Sequence, residues 1–186
     1  MDAQTSSAQC VFGRDPVSPH PPEHVRSAIE ESQRLRGGIA NGYAQVEYLL
    51  GDIIMKAFVL PEYVNLVVRL PHKVLGRIEL VKKIIENDGF FSSYKDEIYW
   101  IIEAFELRHE TRNILAHGFC TVLHTPTGDI GFEFRKWHRV DQDDVEEIKL
   151  YRLVDLEYER AQLVDASQRA LKLFREIHQA LAIVQT

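Results

Sequence analysis

RHETRNILAHGFCTVLH, residues 108–124, is where the hydrophobic period of this chain changes. Upstream of it Ile98, Ile101, Ile102 and Phe105, then Ile114 and Leu115, recur at helical spacing. Downstream, Phe119-Cys-Thr-Val-Leu-His124 alternates as a strand does. Gly118 stands at the junction, where a C-capping glycine belongs. The spacing predicts a helix from about Ser93 to His117 that gives way at once to β-structure.

Toward the N-terminus, Val25, Ile29, Ile39, Tyr43, Val46, Leu50, Ile53, Ile54 and Ala57 share one helical face, predicting a long helix from His24 to about Leu60. Gly37-Gly38 is its weak point, a place for a kink or a break. Pro61 ends that pattern, and a second helix is expected over 72–86 with Asn87-Asp88-Gly89 as its stop. Toward the C-terminus, a Thr125-Pro-Thr-Gly-Asp turn separates Phe119–His124 from a second alternating run, Ile130–Trp137. Residues 147–153 offer a third strand after an acidic loop, Asp141–Asp144. Asp155 then reads as the N-cap of a last helix to about Val184, carrying Leu156, Leu163, Ala170, Leu171, Phe174, Ile177 and Leu181. Residues 1–22 are small, polar and proline-rich and read as a disordered tail. The expected architecture is mainly α. It is a single domain over 23–186, an antiparallel helical bundle with a small β-hairpin or three-stranded insert at about 119–153.

Composition narrows the function classes. The chain is 45% hydrophobic, enough for a substantial core, and its formal net charge of −6 does not suit coating a polyanion through its overall field. Any nucleic-acid contact has to come from a local basic patch. Two cysteines, Cys10 and Cys120, make neither a disulfide framework nor a zinc knuckle, and no apolar run approaches membrane-spanning length. A reducing cytoplasm is the expected compartment, with no membrane partner.

Chemistry concentrates in the helical half of the opening stretch. Asn113 and His117 are four apart and stack on one face, and His109 extends that row by a turn. Arg108 and Arg112 form a second row beside it. A guanidinium can hold a phosphodiester and an imidazole can move a proton next to it. Arg112 and His117 are separated by about 140° around an ideal helix, so they converge only through the long arginine, the end of the helix, or a partner chain.

Arg112-Asn113-Ile-Leu-Ala-His117 resembles the Arg-Asn-x-x-Ala-His signature of HEPN domains (higher eukaryotes and prokaryotes nucleotide-binding). The order of elements over about 24–184 is similar too: long helices, the motif, a short insert and a last helix. The resemblance implies a metal-independent endoribonuclease, of toxin or defence type, with two motifs facing each other across a homodimer. In that scheme Arg112 neutralises the scissile phosphate. His117 serves as general base or acid for attack by the ribose 2′-hydroxyl, and Asn113 orients the imidazole or a phosphate oxygen. RNA is the implied substrate and an antitoxin or regulatory protein a further implied partner. No cofactor or metal is implied. The alternative is a non-catalytic HEPN scaffold, or a nucleotide- or RNA-binding dimerisation module. A nuclease needs Arg112 and His117 accessible, whereas a scaffold buries them in satisfied pairs.

Other residues carry weaker signals. Glu47 falls on the inward row Tyr43-Glu47-Leu50-Ile54, where an unpaired charge is costly. It either finds Arg112 or Arg108 as a partner, or sits at the edge of the stripe and reaches solvent. Arg108 and His109 are accordingly supporting candidates. Arg135-Lys136-Trp137-His138-Arg139 is a basic, aromatic strand end, readable as an RNA contact or as a solvated face. His117, His124 and His138 match no metal-ligand spacing, and Cys120 reads as core rather than nucleophile.

Overall fold

A computed structural model of the chain describes residues 21–125 and 127–184. Most of the expected tail, Cys10 included, therefore lies outside the described residues. The elements are helix α1 (Glu23–Ala57), α2 (Val74–Glu86), α3 (Lys95–Glu106) and α4 (His109–His117). Strands β1 (Phe119–His124), β2 (Ile130–Val140) and β3 (Asp143–Tyr151) and helix α5 (Leu153–Val184) complete them. Short 3-10 turns at Pro61–Tyr63 and Phe90–Tyr94 punctuate the connections.

The two long helices form the frame. The glycine pair does not interrupt α1, because α5 lies along it. Arg160 passes so close to Gly38 that a Cβ there would sit 2.7 Å from its Nε. The roughly 1 kcal/mol that a helical glycine costs is offset at Gly38 by this close approach, whereas Gly37 faces open space. On α5 the inward row is Leu156, Leu163, Ala166, Ala170, Leu173, Ile177 and Leu181, and Leu171 faces outward, contrary to expectation. Asp155 is not the N-cap but stands at the third helical position. Its carboxylate accepts a hydrogen bond from the Arg152 amide at 2.7 Å, the acidic half of a capping box. Asp155→Ala is expected to lower stability by about 1 kcal/mol, read as a shift in the urea midpoint at constant m-value.

Helix directions are mixed, where an antiparallel bundle was expected. Gly38 meets Arg160, Gly42 meets Leu163, and the Tyr48 ring lies 6.0 Å from that of Phe174, so α1 and α5 run parallel. Along α3 and its end the partners on α5 fall in number, from Arg169 over Trp100 to Glu159 beside Arg108, so that pair is antiparallel. Glu86–Tyr99 and Lys82–Glu106 set α2 antiparallel to α3 in the same way. Hence α1, α2 and α5 point one way and α3–α4 the other. The physical reason is the 58–73 connection, which carries the chain back along the bundle before α2 begins.

The sheet is antiparallel in the order β1-β2-β3. Its inner face brings Cys120 beside Phe134, and Val122 and Tyr151 on either side of Phe132. Phe132 and Phe134 are fully buried and join the helical core. The third strand begins at Asp143 rather than 147, and the acidic loop contracts to Asp141-Gln142, with Asp141 in the left-handed region at φ 56°. Asp144 pairs across from Arg139 in the register, so charge rather than apolar alternation marks the start of this strand.

The expected helix over 93–117 is in fact two, with an elbow at Leu107-Arg108. The Arg108 amide turns back to the Phe105 carbonyl at 3.2 Å, while the Arg108 side chain donates to the Ala104 carbonyl at 3.3 Å. That guanidinium takes the place of the amide a continuous helix would have supplied. Its Nη2 also donates to Gln162 at 3.3 Å, and Glu159 lies 3.6 Å from its Nε. Arg108 thus ties the elbow to α5.

Candidate functional site

Helix α4 carries the motif and is wedged between α1 and the sheet. Ile114 and Leu115 are its buried anchors. Its last carbonyls lack intrahelical partners, and one of them is met from α1. Arg36 Nε and Nη2 converge on the Leu115 carbonyl at 3.1 and 2.7 Å. The same guanidinium lies over the Phe134 ring, 4.9 Å from its centroid, so one side chain joins α1, α4 and β2. Arg36 was not among the sequence candidates. It abuts the inward row Ser32-Leu35-Ile39, and the argument that singled out Glu47, a charge beside an apolar stripe, applies to it equally.

Gly118 closes α4, but not in the left-handed conformation. Its backbone is extended (φ −75°, ψ 142°), and the amide donates to the Ile114 carbonyl at 2.8 Å. A Cβ here would stand 2.4 Å from that carbonyl oxygen and 3.4 Å from the Arg135 carbonyl. The glycine is needed for space rather than for φ. Gly118→Ala is expected to destabilise the fold by about 1–3 kcal/mol, since backbone must move to relieve the contact. An unchanged urea midpoint would remove the steric explanation.

Arg112 turns toward α1. Its guanidinium carbon lies 4.9 Å from the Tyr43 ring centroid, and Nη1 donates to Asn113 Oδ1 at 2.9 Å. The other end of that amide, Nδ2, is 3.0 Å from His109 Nε2, and His109 Nδ1 is 2.5 Å from the Tyr43 hydroxyl. With Asn113 Oδ1 accepting, Nδ2 must donate. His109 Nε2 then accepts, and Nδ1 carries the proton toward Tyr43. The four side chains close a ring: Arg112, Asn113, His109, Tyr43 and back through the cation–π contact.

Tyr43 is 1% exposed and stacks on Phe105 with centroids 3.8 Å apart. Burial pushes its phenol far above the ordinary range, and the charge of Arg112 opposes this only in part, so it stays protonated. Arg112 has no carboxylate within ion-pair distance among the described residues, and its buried Nε has no hydrogen-bond partner there. His117 is exposed at the end of the same helix.

The expected roles are therefore redistributed. Asn113 holds Arg112 and His109, not the His117 imidazole. Glu47 does pair, but with Arg77 at 3.2 Å rather than with Arg112 or Arg108. Arg108 and Arg112, expected as one row, diverge at the elbow, the first toward α5 and the second toward α1. His109 lines a cleft of about 400 Å³ together with Leu75, Ile78, Phe105, Glu106 and Glu110. A larger hollow of about 550 Å³, lined by Leu66, Lys82 and Asn87 among others, contains none of the motif residues.

The basic strand end divides between faces. Arg135, Trp137 and Arg139 share one face of β2, with Lys136 and His138 on the other. Arg135 is neutralised by Glu133 at 2.7 Å, with Glu146 at 3.9 Å, while Trp137 is exposed. Burial pushes the Cys120 thiol up, which disfavours a thiolate nucleophile. Among the described residues, no three His, Cys, Asp or Glu side chains are grouped to hold a metal ion, and no helix is long and apolar enough to cross a membrane. Comparison with family models, curated proteins and solved structures returned no match.

Proposed function

We propose that this chain is a HEPN-type, metal-independent endoribonuclease that acts as a homodimer, its site completed by α4 of a second copy. The observation that carries the reading is the state of Arg112. It is held directly by two side chains, Tyr43 and Asn113, yet neutralised by none, and an exposed histidine follows five residues later on the same helix. A guanidinium held without a carboxylate keeps its charge available to an oxyanion. Five residues on a helix separate the two side chains by about 7.5 Å along the axis and 140° around it. A second copy related by a two-fold axis supplies the missing half.

In the reaction, His117 takes the proton of a ribose 2′-hydroxyl, whose oxygen attacks the adjacent phosphorus. The P–O5′ bond breaks, the 5′-oxygen is protonated by water, and a 2′,3′-cyclic phosphate remains. Arg112 stabilises the charge on the phosphorane.

The test is cleavage of end-labelled RNA in excess chelator, with analysis of the termini. Activity that survives chelation and leaves cyclic-phosphate ends supports the assignment. A strict metal requirement, or 3′-hydroxyl ends, overturns it. Absence of cleavage across several RNAs points instead to the non-catalytic scaffold.

A further inference from the structure

From the closed ring of side chains we infer that Tyr43, on α1, is a positioning residue for Arg112. It sets the direction in which the guanidinium offers its remaining amino group to an oxyanion. The oxyanion's identity as an RNA phosphodiester rests on the proposed ribonuclease activity, but the geometry of the ring does not.

Tyr43 reaches Arg112 by two routes. Its ring lies under the guanidinium at 4.9 Å, and its hydroxyl holds His109 at 2.5 Å, which holds Asn113 at 3.0 Å, which holds Arg112 Nη1 at 2.9 Å. The face of the guanidinium and one amino group are thus occupied. Nε is buried and without a partner among the described residues, so the donor left over to meet an oxyanion is the Nη2 amino group. An amino group of a charged guanidinium still donates strong, charge-assisted hydrogen bonds to a phosphate oxygen.

A purely structural role does not account for the phenol. Tyr43 sits in the apolar core, stacked on the fully buried Phe105, where a phenylalanine would pack without a hydroxyl to satisfy. Three polar groups, the Tyr43 hydroxyl, the His109 imidazole and the Asn113 amide, are instead strung through this contact and end on a single arginine. Buried polar groups are costly unless paired, and in this network the Asn113 oxygen is paired by Arg112.

The experiment uses side-chain NMR of the full chain together with RNA cleavage. The Nε–H of Arg112, assigned by its loss in Arg112→Lys, should lie upfield because of the Tyr43 ring beneath it. Tyr43→Phe keeps the ring but cuts the hydrogen-bonded route. It should move the Asn113 side-chain amide and the Arg112 Nε–H resonances together and lower kcat about fivefold with KM nearly unchanged. Tyr43→Leu removes both routes and should return the Nε–H to an ordinary position, with kcat reduced about 50-fold. A double-mutant cycle of Tyr43→Phe with Asn113→Ala should be non-additive, since both cut the same route.

Asn113 and Arg112 resonances that do not move in folded Tyr43→Phe would overturn the positioning role, as would an additive cycle. Should Tyr43→Leu fail to fold, the Tyr43→Phe arm decides alone. If wild-type protein cleaves no RNA while the resonances move as stated, the ribonuclease reading fails and the Tyr43 assignment stands.

Discussion

Arg112→Ala and His117→Ala are each expected to reduce RNA cleavage by about 10²–10⁴-fold while leaving the fold intact. The magnitude for His117 is that of removing a positioned general acid–base. That for Arg112 reflects loss of a preorganised charge where negative charge develops. Neither substitution should unfold the protein, although Arg112→Ala leaves the Asn113 oxygen unpaired and should lower stability by about 1–3 kcal/mol. His117 is exposed, and Arg112 makes no ion pair among the described residues whose loss would leave a buried carboxylate alone. The shared site adds a sharper expectation. Two inactive homodimers, one of each variant, should regain activity when mixed under conditions that allow exchange. A mixed dimer contains one site with both residues intact. Half of the dimers are mixed and half of the sites in each are whole, so recovery approaches about a quarter of wild type. No recovery on mixing, despite demonstrated exchange, would mean that Arg112 and His117 act from the same chain or do not act together.

Phe105→Ala is the change with the largest expected effect on stability, about 3–5 kcal/mol. Phe105 is fully buried at the end of α3, and its ring is the surface on which Tyr43 stacks at 3.8 Å. Truncation leaves a cavity at the elbow, against the floor of the cleft that His109 lines. The loss should appear as a lower urea midpoint at unchanged slope. Phe105→Leu keeps most of the volume and should cost about 1.5 kcal/mol or less. Through Tyr43 the same substitution reaches Arg112, so cleavage by the folded fraction of Phe105→Ala should also fall, while Phe105→Leu is nearly spared. A Phe105→Ala protein as stable as wild type would contradict the burial. A stable variant with unimpaired cleavage would separate the core from the site.

The opening stretch shows where reading residues in order succeeds and where it stops. The change of period at Gly118 is a local signal, and the structure places the end of a helix and the start of a strand there. The elbow at Arg108 is not local. The sequence from 93 to 117 has helical spacing throughout, and what breaks it is a guanidinium drawn to Ala104, Glu159 and Gln162, two of them on α5. Glu47 illustrates the same limit. Its place on an inward row called for a cationic partner, but Arg77 enters only because the 58–73 connection returns the chain to lay α2 beside α1.

By itself the sequence determined the α-dominated class, a small β-insert of two or three strands before the last helix, and a motif that joins an arginine, an amide and a histidine within two turns. Those properties follow from periodicity, capping and side-chain chemistry, each set by residues a few positions apart. Only the tertiary structure decided the parallel run of α1 and α5, the choice of His109 rather than His117 as the partner of Asn113, and the placing of Tyr43 under Arg112. The physical reason is common to all three. They depend on which long-range contacts bury the most apolar surface while satisfying the polar groups caught within it, and no local pattern carries that information.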